Sequence, residues 1–233
     1  MFRILGTTLA VASLACLSCN ASDHHELESD PALAARFSPE EIDGLTSILD
    51  FVDHHLCRSE WSSVQQPVGC YENLFHWVMD TSRSAHLTSW GLPIDAQNAL
   101  VAALPATLRD EIWYEHPLMA THRIPQAERG ILRDTFTVVS LHSRETRLID
   151  YFGTVEDPVL QHILDRANEL GDFGPSTLPA IMQYSASDLL DERIRLFVAL
   201  HIITQNQRTV LHASSRQAIL EDIEQRFKSR RQQ

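Results

Sequence analysis

The sequence predicts an all-α protein: an irregular bundle of roughly seven or eight helices with one disulfide-linked helical hairpin. Three observations carry this. Apolar residues recur at helical spacing between Ile42 and Leu56, directly behind a complete helix-start signature. The composition holds only 8 glycines and 7% aromatics and is rich in Leu, Ala, Glu, Arg and Gln, which favours helix over a turn-rich β architecture. No stretch reads as a strand alternating apolar and polar residues, and no repeat of fixed period is found.

The 233 residues, 44% hydrophobic and 21% charged, have an ordinary globular composition and can bury a core. The expected organisation is a leader over 1–19, a flexible acidic tether over 20–36, one helical domain over 37–228 and a frayed tail over 229–233. The formal charge of −12 argues against a nucleic-acid partner, whose affinity rests on Lys and Arg displacing counterions. It also argues against electrostatic binding to anionic lipid. Of 19 basic residues only Lys228 is a lysine, so P-loop, Schiff-base and kinase-type lysine chemistry has no residue to use.

The first residues, MFRILGTTLAVASLACLSCNAS, carry Arg3, an apolar run from Ile4 to Leu17 and then small residues. This is the pattern of a secretory signal peptide, too short to span a bilayer. Cys16 and Cys19 each sit in a loose version of a bacterial lipobox, lacking its aliphatic residue three positions earlier. Lipid attachment is expected at Cys19, with Cys16 or plain cleavage after Ala21 as alternatives. The expected location is the periplasmic or outer-surface face of a bacterial membrane, held by lipid alone; the alternative is a soluble secreted protein. The tether NASDHHELESDPALAAR shows no apolar period, so His24 and His25 are expected to be solvated rather than a metal-catching pair.

The domain opens with Ser38 as N-cap, Pro39 at N1 and Glu41 closing a capping box, with Phe37 and Ile42 as a hydrophobic staple. Ile42, Leu45, Ile48, Leu49, Val52 and Leu56 form one face of a helix to about Cys57. RSEWSSVQQPVG is loop by composition. A second helix follows with Tyr71, Leu74, Phe75 and Val78 inward. Asp95 is placed to cap a helix to Leu104, where Pro105 interrupts, and Thr107 to His116 reads as a short helix.

Pro125 is expected to open a long helix through Phe152, stopped by Gly153, although its β-branched centre lowers helicity. Asp157-Pro158 starts a helix ending at Gly171. Ser187 is expected to cap a helix to Gln207 whose middle, IRLFVALHII, is apolar nearly all round and so central. Ser214 or Ser215 then caps the last helix.

Export implies an oxidising space in which two mature cysteines pair. Cys57 closes the first long helix and Cys70 opens the second, so a bond between them would make a helical hairpin.

One polar constellation stands beside it. Asp50 and His54 are four residues apart on the first long helix, and Glu72, His76 and Asp80 are spaced by four on the second. Such spacings present metal ligands from helices, and a carboxylate–histidine metal site between the two helices is the alternative to a solvated polar face. No His-Glu-x-x-His is present. His55 and His201 lie among apolar neighbours and are expected to be hydrogen-bonded core histidines. Glu115, His116 and His122 flank Pro117 in an expected loop, with nothing to orient them. Trp61, Trp77, Trp90 and Trp113 read as core or partner anchors.

FSPEEIDGLTSILDFVDHHLC, CYENLF, the EIW at 111–113, and GDFGPSTLPAIM followed by DERIRLFVALHIITQNQ are similar to a group of bacterial lipoproteins of uncharacterised function. That resemblance implies a helical domain on a lipid anchor with paired cysteines, and no activity to carry to any residue. The expected role is therefore non-catalytic binding of a protein or cell-envelope component, with no catalytic residue and no cofactor assigned. A metal-dependent enzyme using the carboxylate–histidine constellation is the alternative.

Overall fold

The structure, a computed structural model, describes residues 25–58, 67–83, 89–123, 131–143, 145–171, 173 and 177–231. It is mostly helical, with the predicted disulfide-linked hairpin and a single two-stranded ribbon among these residues. After a 3₁₀ turn over Glu26–Ser29, the elements in chain order are α1 (Pro31–Ala34), α2 (Pro39–Arg58), α3 (Pro67–Arg83), α4 (Ile94–Ala103), α5 (Ala106–Ile112), β1 (Trp113–Arg123), β2 (Ile131–Leu141), α6 (Arg147–Phe152), α7 (Pro158–Leu170), α8 (Thr177–Ile181) and α9 (Glu192–Arg231). A second 3₁₀ turn, Asp188–Leu190, precedes α9.

Helix α2 begins as its sequence dictates. The Ser38 amide donates to Glu41 Oε2 at 2.9 Å and the Glu41 amide donates to Ser38 Oγ at 3.3 Å, a closed capping box. The six apolar residues at helical spacing are all buried, as are Phe37 and Ile42 of the staple. Gly44 lies on the same face because two partners approach it closely. A Cβ there would sit 2.8 Å from Leu108 Cδ2 and 3.3 Å from Leu104 Cδ2.

The Cys57–Cys70 disulfide, Cα atoms 5.2 Å apart, joins the end of α2 to the start of α3. Tyr71, Leu74, Phe75 and Val78 then bury α3 against the core.

Helix α9 is the axis of the molecule. Leu196, Phe197, Val198, Ala199, Leu200, Ile202 and Ile203 are at most 2% exposed, so it is enclosed over two turns. Buried polar side chains fix its neighbours to it. Asn206 Oδ1 accepts from the Trp90 amide (2.8 Å) and Ser89 Oγ (3.0 Å), while its Nδ2 donates to the Leu92 carbonyl (3.1 Å) and Gln97 Oε1 (2.8 Å). The indoles of Trp90 and Trp113 donate to Thr209 and Thr204. A second clamp joins α2 to α6 and is built on Arg147, which meets Glu41, Glu111 and the Arg36 carbonyl.

Several expectations are corrected. Of the stretch expected as one long helix from Pro125, residues 125–130 lie outside the described residues, and the part from Ile131 is instead β2 followed by α6; β2 pairs antiparallel with β1 in the register Trp113 to Leu141 through Arg123 to Ile131. The Thr-Phe-Thr-Val-Val run at 135–139 is the cause: β-branched side chains fit a pleated strand better than a helix turn. Consequently the helix expected to reach His116 stops at Ile112, and Glu115, His116, Pro117 and His122 lie on β1 rather than in a loop. Pro117 is tolerated because each strand of a two-stranded ribbon is an edge.

Next, α9 is continuous for 40 residues, where two helices were expected with Ser187 and Ser214 or Ser215 as caps. No Gly or Pro interrupts it, and the expected frayed tail is helical as far as Arg231. Asp95 lies in the first turn of α4 and Pro93 is its N-cap, so that expected cap is displaced.

Residues 25–36 are not a flexible tether. Asp30 caps α1, accepting from the Ala32 amide at 2.7 Å, with Pro31 at N1, and Leu27 and Leu33 are fully buried. Tyr151 Oη donates to the other Asp30 oxygen at 2.9 Å and ties this segment to α6. Two buried leucines outweigh the acidic residues around them, because burial of each contributes about 1.5–3 kcal/mol.

Candidate functional site

The N-terminal segment, the end of α2, the start of α3 and the start of α9 enclose an open cleft of about 850 Å³ beside the disulfide. Its lining includes His25, Asp50, Asp53, His54, Glu192 and Arg195, with Cys57 of the disulfide at one side.

The floor is an ordered polar network. Tyr71 Oη donates to Asp53 Oδ1 at 2.8 Å, and Arg195 Nε lies 3.2 Å from Asp53 Oδ2 as an ion pair. The Arg195 Nη1 donates to the Leu189 carbonyl (2.9 Å) and Nη2 to Glu192 Oε1 (3.3 Å). Burial raises the Asp53 carboxyl above its ordinary range despite Arg195 and Tyr71. Burial, and then the neighbouring Asp53, also push the Tyr71 phenol well up, so Tyr71 is a fixed donor.

One wall is built by His25. Its Nδ1 lies 3.1 Å from Glu192 Oε1 on α9, and its Nε2 lies 3.1 Å from Asp50 Oδ1 on α2. Burial works against charge on this imidazole, but the two carboxylates outweigh it and its pKa is raised. Glu192 Oε2 also accepts from the Leu27 amide at 3.2 Å. Asp50 continues with His54 and Arg58 as an exposed rim.

The predicted constellation is thus half assembled. Asp50 and His54 share the cleft, but their companions come from the N-terminal segment and α9, not from α3. Glu72 turns away and accepts from the Ala186 amide at 2.7 Å, and His76 and Asp80 are exposed. Among the described residues no three His, Cys, Asp or Glu side chains are grouped so as to hold a metal ion. Glu72, His76 and Asp80 therefore do not join Asp50 and His54 in this cleft: a shared helical spacing does not make the two faces converge.

His25 is half-buried in ion pairs rather than solvated; His24, Trp61, Cys16, Cys19 and Ala21 lie outside the described residues. His201 is a core histidine as expected. Its Nδ1 lies 3.1 Å from the Phe197 carbonyl and its ring packs on Phe173 and Phe197. Burial lowers its pKa to about 4. His55 stacks on Phe51 with ring centres 4.5 Å apart and is likewise lowered by burial, then by His54 and Arg58.

Sequence reasoning placed His25 in a solvated tether and passed over Glu192. A signal was present at one of them, since Asp30-Pro31 repeats the cap-and-proline signature of Asp157-Pro158 and marks the segment as structured. A second cavity, of about 620 Å³, lies at the root of the ribbon between Gln97, Arg109, Trp113, Tyr114, His142 and Gln207. It was also missed, because it depends on the hairpin.

No family model, no curated protein and no solved structure matches this chain. Among the described residues no helix is long and apolar enough to cross a membrane.

Proposed function

We propose that this is an exported, lipid-anchored helical domain that binds a protein or cell-envelope component without catalysis, and that the cleft beside Cys57–Cys70 is its binding surface. One observation carries the reading: a concave site whose floor is tied by the Tyr71–Asp53 hydrogen bond and the Asp53–Arg195 ion pair, below an exposed rim of Asp50, His54 and Arg58. A floor tied by its own side chains with exposed charged groups at its edge suits recognition, because the rim can steer and orient a partner without reorganising the fold. The disulfide supports export, since such bonds persist in oxidising compartments. The leader pattern and Cys19 support the anchor.

The test is crosslinking in the producing cell followed by purification, with the wild type compared against a rim variant carrying Asp50→Arg, His54→Glu and Arg58→Glu. Partners captured by the wild type and lost from an equally stable rim variant support the reading. An identical set of captured partners from both removes the cleft as the binding surface.

A further inference from the structure

We infer that His25 is a proton-operated clasp, fastening the N-terminal segment to α2 and α9 when protonated and loosening that wall of the cleft when it loses its proton. A neutral imidazole has one N–H, whereas both ring nitrogens here face a carboxylate at 3.1 Å, Glu192 on one side and Asp50 on the other. Only the imidazolium can donate to both. The geometry therefore demands a charge on His25, and loss of the proton turns one of the two contacts into a lone pair facing a carboxylate.

The groups around the ring reinforce this direction. From α2 it meets Asp50, with Asp53, His54 and Arg58 further along the cleft; from α9 it meets Glu192, with Arg195 behind; its own segment supplies Glu28. Four carboxylates thus stand against two guanidiniums and one further imidazole. The raised pKa of His25 agrees, with the two bonded carboxylates overcoming burial. Glu192 links the ring to the backbone, because its second oxygen holds the Leu27 amide.

The two contacts are unequal. Asp50 is 65% exposed and well screened by solvent, whereas Glu192 is 14% exposed. The buried Leu27 and Leu33 keep the segment docked at any pH, so proton loss loosens its first turn and does not release it. The sign follows from linkage. A histidine whose pKa is raised on folding stabilises fully below about 6.5, and that contribution is lost as pH rises through the folded value. The clasp itself is independent of any partner. Its consequence, binding at the cleft that weakens or strengthens with pH, rests on the proposed binding surface.

The experiment is a proton NMR titration of the His25 ring in the full mature chain, for wild type and Asp50→Asn, with hydrogen exchange of the Leu27 amide. His25→Gln provides the assignment. The expected wild-type pKa lies above that of an ordinary histidine and falls in Asp50→Asn. Protection of the Leu27 amide, referred to interior amides, should drop about three- to tenfold as His25 deprotonates, the change expected for one hydrogen bond of this kind. That drop should be absent in His25→Gln. An ordinary or lowered wild-type pKa, or protection that ignores the titration, overturns the clasp. These readouts need no ligand, so failure to capture a partner leaves the clasp standing, and an ordinary pKa leaves the binding surface standing.

Discussion

Arg147 grips Glu41 with two nitrogens, Nη2 at 3.0 Å from Oε1 and Nη1 at 3.2 Å from Oε2, while its guanidinium carbon stands 4.6 Å from the centre of the Phe37 ring. One arginine from α6 therefore reads both halves of the α2 start, the capping box and the staple. The hydrogen bonds from Arg147 come first among the causes that lower Glu41, outweighing burial and taking it to about 2.

This pairing predicts acid behaviour. A carboxylate lowered from 4.5 to about 2 contributes stability above 4.5 that is lost as pH falls through 2. Glu41→Gln should therefore cost stability at pH 7 and little at pH 2. Arg147→Ala should cost about 1–2 kcal/mol at pH 7, discounted because Arg147 is partly exposed. Urea denaturation at the two pH values measures both.

His201 predicts the opposite dependence to the clasp on α9. Burial lowers it to about 4, so the unfolded chain binds a proton between about 6.5 and 4 that the folded chain refuses. Stability should fall as pH drops across that window. His201→Leu should flatten the fall, measured as the difference from wild type in thermal midpoint between pH 7 and pH 4.5.

Asn206 is fully buried and uses both its oxygen and its nitrogen twice. Asn206→Leu strands the Trp90 amide and the Leu92 carbonyl away from water, at a cost of about 2–4 kcal/mol. Asn206→Asp keeps the shape but replaces two donors by an acceptor facing two acceptors, and should cost at least as much. Equilibrium unfolding monitored by tryptophan fluorescence checks the ordering.

Gly44 predicts a steric series. Gly44→Ala brings a Cβ to 2.8 Å from the end of Leu108, a flexible side chain, and gains helix propensity, so the two effects nearly offset. Gly44→Val adds branches where Leu104 and Leu108 already close in, and should cost about 1–3 kcal/mol by overpacking. A Val variant as stable as the Ala variant would contradict the packing of α5 on α2.

Much of this fold can be read wherever a cap and its apolar stripe adjoin in sequence. Ser38-Pro39-Glu41 and Asp157-Pro158 with Gly171 are such places, and α2 and α7 follow them. The ribbon was hidden because Pro125 before a run of mixed residues imitates a helix start, and only the β-branched Thr135–Val139 segment spoke for a strand. Half of the cleft was legible, since Asp50 and His54 are related by one helical turn. His25 and Glu192 were not. They lie 167 residues apart, and no local pattern announces a contact that only the docking of the N-terminal segment creates.

The disulfide closes a separation of 13 residues, for which the chain-entropy model gives roughly 3 kcal/mol of stabilisation. Cys57→Ser with Cys70→Ser should lower the thermal midpoint and loosen the α2–α3 corner, and added reductant should reproduce the shift in wild type. Equal midpoints with and without reductant would show that the bond holds nothing.

The most direct measurement is the intact mass of the protein recovered from its producing cell, before and after reduction and alkylation. Export into an oxidising compartment predicts a chain without the leader, carrying acyl mass on Cys19, whose two remaining thiols, Cys57 and Cys70, alkylate only after reduction. A chain that still begins at Met1 with both of those thiols free would contradict it.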